Sequence, residues 1–315
     1  MAIARPVAQA TAQKARMTRL AHTEERWGYL FISPWVLGFV IFTVGPMILS
    51  LYYSLTKYEF PLPPKWIGLG NYVEAIVQDD LFFKALGNTG YYVLFSVPLG
   101  LIGSLCLALL LDRNLPFRAL WRTVYYVPSI VPIVVSAFLF GYLFQPDYGL
   151  INSFLWGLGI QGPGWFSSSL WVKPTLILLA LWGAGGSTTI IFLAGLQNIP
   201  SELYEAAQVD GAGRWHKFWA ITIPMLSPTI FFNLVTGIIG AFKVFSSAWV
   251  ATGGGPNYAS YFYVLHLFTE AFTYLNMGYA SALAWYLFLI IMIFTLLQLR
   301  LARTWVYYES ETAGF

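Results

Sequence analysis

The sequence predicts an all-α integral membrane protein with six transmembrane helices, and three observations carry that prediction. The first is composition. The 315 residues are 58% hydrophobic and only 10% charged, where a soluble domain has roughly 25% charged residues. With a mean hydropathy of +0.64, the chain has too little polar surface to fold in water. The second is run length: a helix needs about 20 mostly apolar residues to cross a bilayer, and six segments qualify, at about 28–56, 88–111, 120–144, 174–196, 225–250 and 277–299. The third is the placement of basic residues. Twelve Lys and Arg flank the spans on one side and four, Lys57, Lys65, Lys84 and Lys173, on the other. Positive charge favours the cytoplasm, so both termini and the 201–224 loop are expected there.

Residues 1–27 are basic but lack an apolar stretch followed by a cleavage site, so they read as a cytoplasmic tail rather than a signal peptide. Residues 28–300 then form the membrane domain, and 301–315 a second cytoplasmic tail. Between the first two spans, PLPPKWIGLGNY precedes VEAIVQDDLFFKAL, expected as a surface helix. GLINSFLWGLG, after the third span, reads as a short interfacial helix. ATGGGPN, 251–257, is a tight turn after the fifth. Pro34, Pro46, Pro98, Pro128 and Pro132 lie in or near spans, where kinks are tolerated if neighbours satisfy the freed carbonyls.

Several chemistries are absent. No Gly-Lys pair exists, so there is no GxxxxGK[ST] phosphate loop. Cys106 is a single cysteine in an apolar run, and His22, His216 and His266 are scattered, which argues against a thiolate or histidine metal site. The spans hold no Asp or Glu at their centres, where ion-coupled carriers usually need one. Energy for transport must therefore come from another chain.

The 204–224 stretch, YEAAQVDGAGRWHKFWAITIP, is the polar exception. Ser201 is a candidate N-cap, with Glu202 in the first turn. Ala206 and Ala207 would let another surface approach closely. Asp210-Gly211 forms a turn, with Asp210 positioned to cap the following helix, and Pro224 opens the fifth span. On the residues alone the stretch is open to two readings: a docking surface for a soluble partner, or an amphipathic helix lying on lipid headgroups.

This stretch resembles the EAA loop of permease subunits of bacterial ABC importers. The matching residues are Glu205, Ala206, Ala207, Gly211, Ile221 and Pro224, with Asp210, Ala212 and Phe218 fitting the carbohydrate branch; Ile223 departs from the usual Leu. The resemblance extends through IGLGNY (67–72), NTGYYVLFSVPLGL (88–101), FRALWRTVYYVPSIV (117–131), GLINSFL (149–155), TGGGPN (252–257) and GYASALAW (278–285). It is nearest to the sugar and glycerol-phosphate permeases of the maltose type. The resemblance implies a type I importer fold in the bacterial inner membrane. It also implies a second, usually non-identical permease, two copies of a cytosolic ATPase that bind ATP and Mg, and an extracytoplasmic solute-binding protein. Glu205 would sit at the ATPase contact. This chain would carry no cofactor and be no enzyme.

The substrate pathway is expected along Trp182, Ser187 and Thr188 of the fourth span and Asn233 of the fifth. The resemblance adds Ala184, Gly237, Gly240 and Ala241. The competing reading is that small and hydroxyl residues pack membrane helices. Lys243 is the only Lys or Arg clearly within a span; it must face a cavity or snorkel outward, and a cavity-facing Lys suits an anionic or hydroxyl-rich solute. The leading functional reading is an importer permease for a sugar or oligosaccharide. A glycerol-phosphate-like solute, a secondary carrier and a lipid-bound scaffold are the alternatives.

Overall fold

A computed structural model describes residues 19–113 and 116–307; residues 1–18 of the expected tail 1–27, with Arg5, Lys14 and Arg16, and residues 308–315 of the expected tail 301–315 lie outside the described residues. The chain divides into two compact units, Met1–Tyr52 and Tyr53–Phe315. The first is an apolar helix of α1 (Arg19–Phe39), a π-helical turn Val40–Val44, and α2 (Gly45–Ser54). Its π-turn has a local cause. Pro46 cannot donate to a carbonyl four residues back and its ring crowds that carbonyl. The preceding Gly45 N–H bonds five residues back, to Val40 O. The same register recurs before Pro224: a π-turn spans Phe218–Thr222, and the Ile223 N–H reaches Phe218 O. One inserted residue relieves the proline without ending the helix.

In the second unit, β1 (Thr56–Lys57) pairs antiparallel with β2 (Lys65–Trp66). There follow α3 (Gly70–Val77), α4 (Asp80–Asp112), α5 (Arg118–Ile130), α6 (Ile133–Leu143), α7 (Leu150–Gly157), α8 (Val172–Ala184) and α9 (Ser187–Gln197). The chain continues with α10 (Ser201–Val209), α11 (Arg214–Lys217), α12 (Ile223–Phe242), α13 (Ser246–Thr252), α14 (Tyr263–Phe268) and α15 (Met277–Ala302). Among the described residues, four helices are long and apolar enough to cross a membrane, or up to six if each of two bent pairs is one span.

Two of the expected spans are bent pairs of helices. The 120–144 run is α5 and α6, crossing at 97°. Pro132 sits at the break and Val131 is extended, with ψ 126°, because a residue preceding proline is pushed out of the helical region. The 174–196 run is α8 and α9, bent by 50° at Gly185-Gly186. A Cβ on Gly186 would lie 2.1 Å from Ser129 Oγ, so glycine there lets α5 approach closely. The 225–250 run also breaks, after Phe242, and resumes as α13. The second span begins at Asp80 rather than 88, absorbing half of the expected surface helix, because Asp79 caps it: Oδ1 accepts from the N–H groups of Leu81 at 2.8 Å and Phe82 at 3.2 Å.

The 33-residue α4 is the spine, packed on α8, α9, α12 and α14. One buried cluster joins Phe140, Leu176 and Phe262, a second Phe82, Tyr263 and Leu283, and a third Phe192, Leu196 and Leu226. At the end of α4 opposite the 201–224 loop, α15 is sewn to the strand segment. Gly278 N–H donates to Tyr58 O at 3.0 Å, and Phe60 N–H to Leu275 O at 3.0 Å. A Cβ on Gly278 would fall 2.2 Å from Thr56 O and 2.8 Å from Tyr58 N, both backbone. Gly278→Ala should therefore destabilise the fold by about 1–3 kcal/mol, read as a lowered thermal midpoint in detergent.

Candidate functional site

Along α4, Lys84, Asn88, Tyr92, Ser96 and Gly100 recur every fourth residue and form a slowly winding ridge. Its inner part meets α12 and the break after it around a cavity of about 380 Å³, a size typical of small-molecule sites. Of the predicted pathway residues, Thr188, Asn233, Gly237, Gly240, Ala241 and Lys243 line it together. Asn233 is buried and donates through Nδ2 to Thr229 O at 2.9 Å. A Cβ on Gly240 would meet no atom within 4 Å, and one on Gly237 would only touch Val97 at 3.4 Å. Close packing within this chain therefore does not account for either glycine; they leave the cavity wall bare.

Two predicted pathway residues, Trp182 and Ser187, lie outside this lining. Trp182 packs 5.6 Å from the Phe140 ring, beside the first buried cluster. Ser187 opens α9 outside the cavity lining. Ala184 ends α8, and its side chain lies outside the described part. Sequence reasoning missed Tyr92, Ser96 and Ser247, which with Ser246, a polar candidate of the fifth span, supply much of the remaining polar lining. The cavity offers hydroxyls, one carboxamide, an aromatic ring and one ammonium. That set binds a polar solute, and nothing in it pairs a nucleophile with a base.

The loop is ordered by its own bonds. α10 ends at Val209; Gly211 N–H donates to Gln208 O at 3.1 Å and Ala212 N–H to Ala207 O at 2.8 Å, a Schellman closure. It requires a left-handed residue, and Gly211 has φ +76°. Two expectations are corrected. Ser201 is the first helical residue, with Pro200 at the cap and no side-chain cap bond, since the φ of proline suits a helix start. Asp210 is the C-cap of α10 and does not cap α11, whose N-cap is Gly213, three residues on. Tyr204 OH lies 3.0 Å from Thr222 Oγ1, and Lys217 Nζ donates to Gln208 Oε1 at 3.3 Å. Tyr204 and Ile221 pack on the third buried cluster. Glu205, Ala206, Asp210 and Gly211 are exposed; Ala207, Ala212, Phe218 and Pro224 are half-buried. Val209, Trp215 and Trp219 stand at 88%, 76% and 63% exposure around them. Exposed carboxylates and large apolar side chains thus share one surface.

A third assembly was invisible in the sequence. At the N-terminus of α4, Asp79 Oδ2 accepts from Tyr279 OH at 2.5 Å and pairs with His266 Nε2 at 2.7 Å. His266 is 1% exposed, and its Nδ1 lies 3.4 Å from Tyr261 OH. One carboxylate thus ties α4, α14 and α15. Burial raises the Asp79 carboxyl, but hydrogen bonds from Tyr279, His266 and the Leu81 N–H more than offset that and hold it below the usual carboxylate range. Burial pushes the neighbouring Tyr261 phenol up to about 12.

A family model described as "Binding-protein-dependent transport system inner membrane component" matches residues 96–306. The chain is 43% identical over 307 residues to the probable ABC transporter permease protein YesP of Bacillus subtilis, covering 95% of this chain and 98% of that one. It is 35% identical over 267 residues to the sulfoquinovosyl glycerol transport system permease protein SmoG of Agrobacterium fabrum, covering 84% and 85%. With the trehalose/maltose transport system permease protein MalF of Thermococcus litoralis it shares 31% over 290 residues, covering 91% and 97%. The fold matches a chain of a bacterial alginate ABC transporter, solved in complex with alginate pentasaccharide-bound periplasmic protein. The TM-score is 0.81 at 24% identity, covering 91% of this chain and 98% of that one.

Proposed function

This chain belongs to the family of binding-protein-dependent transport system inner membrane components, and we propose from that premise that it forms half of an ATP-driven translocation pathway for a sugar or oligosaccharide. It is a permease of the sugar ABC importer type, a transport subunit and not itself an enzyme. The finer reading is that α10 docks on a cytosolic ATPase, with both termini on that same side. A second permease, similar but non-identical, would close the cavity. Two ATPases would supply the ATP and Mg sites, and a solute-binding protein would deliver the sugar at the opposite face.

One observation carries this reading. The loop and the cavity share a single helix: Arg214–Phe242 runs 29 residues from beside α10 to the cavity wall, about 43 Å at 1.5 Å per residue. Its π-turn keeps it continuous past Pro224. Displacement of α10 would reach α12 through the Tyr204–Thr222 contact and the apolar cluster around Leu226. It would then move Asn233, Gly237 and Lys243 as one wall. Sugar names among the relatives and hydroxyl-rich lining support the substrate class.

The test is purification of the complex and its reconstitution in vesicles. ATP-dependent uptake of a sugar, with a cytosolic ATPase co-purifying, is the expected result. Uptake that proceeds without ATP would replace this reading with a secondary carrier.

A further inference from the structure

Lys243 is unusual in its surroundings. It is the residue at which α12 ends, and its backbone N–H bonds back to Gly240 O at 3.1 Å. Its side chain is exposed and lines the cavity. No Asp or Glu belongs to that lining, and among the described residues Lys243 forms no ion pair. Within a membrane span a charge is costly unless it faces water or something compensates it. The carbonyl end of α12 supplies part of the compensation, and a ligand can supply the rest.

The approach to the cavity has the same character. Lys173 Nζ donates to Asn88 Oδ1 at 3.1 Å and sits 4.9 Å from the Tyr91 ring. Lys84 Nζ lies 5.4 Å from the Tyr258 ring. Both cations are partnered by a neutral amide or aromatic faces, and neither pairs with a carboxylate among the described residues. Lys84 and Asn88 lie on the α4 ridge that continues through Tyr92 and Ser96 into the cavity. A basic approach thus leads to a basic site, an arrangement that concentrates anions. Within the cavity the ammonium stands alone. A phosphate monoester carries close to two charges at neutral pH, whereas a carboxylate carries one and matches a single Lys. Around it, Ser96, Ser246 and Ser247 line the same cavity, and their hydroxyls suit sugar hydroxyls.

We propose that Lys243 selects for an acidic sugar: the substrate is an oligosaccharide bearing a uronic-acid carboxylate, which pairs with the Lys243 ammonium during passage. This rests on the permease reading above and names its substrate class.

The experiment uses the complete transporter, with its partner permease, ATPase and binding protein, in proteoliposomes. The probe is a defined mixture of neutral di- and trisaccharides and their uronic-acid counterparts, and vesicle contents are read by mass spectrometry. Wild type is expected to enrich the acidic members. Lys243→Gln should lower the acidic-to-neutral ratio about tenfold or more, the loss of one charge-assisted hydrogen bond, the ratio being read within each preparation. Lys243→Arg should keep the ratio within about threefold, because it keeps the charge. An unchanged ratio in Lys243→Gln overturns the proposal, as does wild-type uptake confined to neutral sugars; the permease reading stands in either case. Wild-type uptake of neither class overturns both.

Discussion

Gly211→Pro is expected to cut ATP-driven uptake by about a hundredfold, the scale of loss when a docked element is displaced by an ångström, without lowering the thermal midpoint of the permease. The residue has φ +76° and closes α10 through its N–H to Gln208 O. Proline fixes φ near −65° and removes that N–H, so the Schellman turn cannot form and α10 loses its aim. Gly211→Ala separates geometry from bulk. A Cβ there meets nothing within 4 Å, so alanine suffers only the left-handed strain, about 1–2 kcal/mol, and should retain much of the activity. Glu205→Ala leaves the backbone alone and removes an exposed charge from the centre of the surface. An interface anchor of this kind is worth about 2 kcal/mol, so ATPase co-purification should fall while folding is unaffected. If Gly211→Pro and Glu205→Ala both co-purify with the ATPase at wild-type levels and transport normally, α10 is not the docking element.

The legible and illegible parts of the chain divide by range. The loop was readable because its chemistry is local: a helix, a Gly turn and a second helix within about twenty residues, with the left-handed glycine marked by its identity. Even there the caps shifted, because Pro200 displaced Ser201 at the helix start and the turn left Asp210 facing back rather than forward. The spans were readable from hydropathy, but their breaks were not. Pro98 and Pro128 lie inside unbroken helices while Pro132 ends one, so proline alone does not say which helix bends; the neighbours that satisfy the freed carbonyls decide. The break at Lys243 has no proline or glycine between 242 and 246, and the apolar run read straight through it. Five of the seventeen residues lining the cavity come from α4, whose Tyr92 and Ser96 look like ordinary packing residues until α12 is placed beside them. His266 was set aside as an isolated histidine, yet it meets Asp79 from 187 residues away.

That distant contact gives the largest expected stability effect. Asp79→Ala removes an N-cap, worth about 1 kcal/mol, and leaves the buried His266 ring and Tyr279 hydroxyl without their partner, at about 1–3 kcal/mol each. A loss of about 3 kcal/mol or more is expected, seen as a lower thermal midpoint in detergent and loosening where α4, α14 and α15 meet. Asp79→Asn can still cap and still accept one bond, so it should lose less. The two variants also give the pH dependence its sign. The Asp79 carboxyl lies below its unfolded value in the native state. Its contribution is therefore complete above the unfolded value of about 3.9, and it is lost as pH falls through the lower folded value. The stability gap between wild type and Asp79→Asn should hold constant from pH 8 to 5 and begin to narrow only below about pH 4. A gap that already closes between pH 7 and 5 would show that the Asp79 carboxylate is not the group on which the three helices depend.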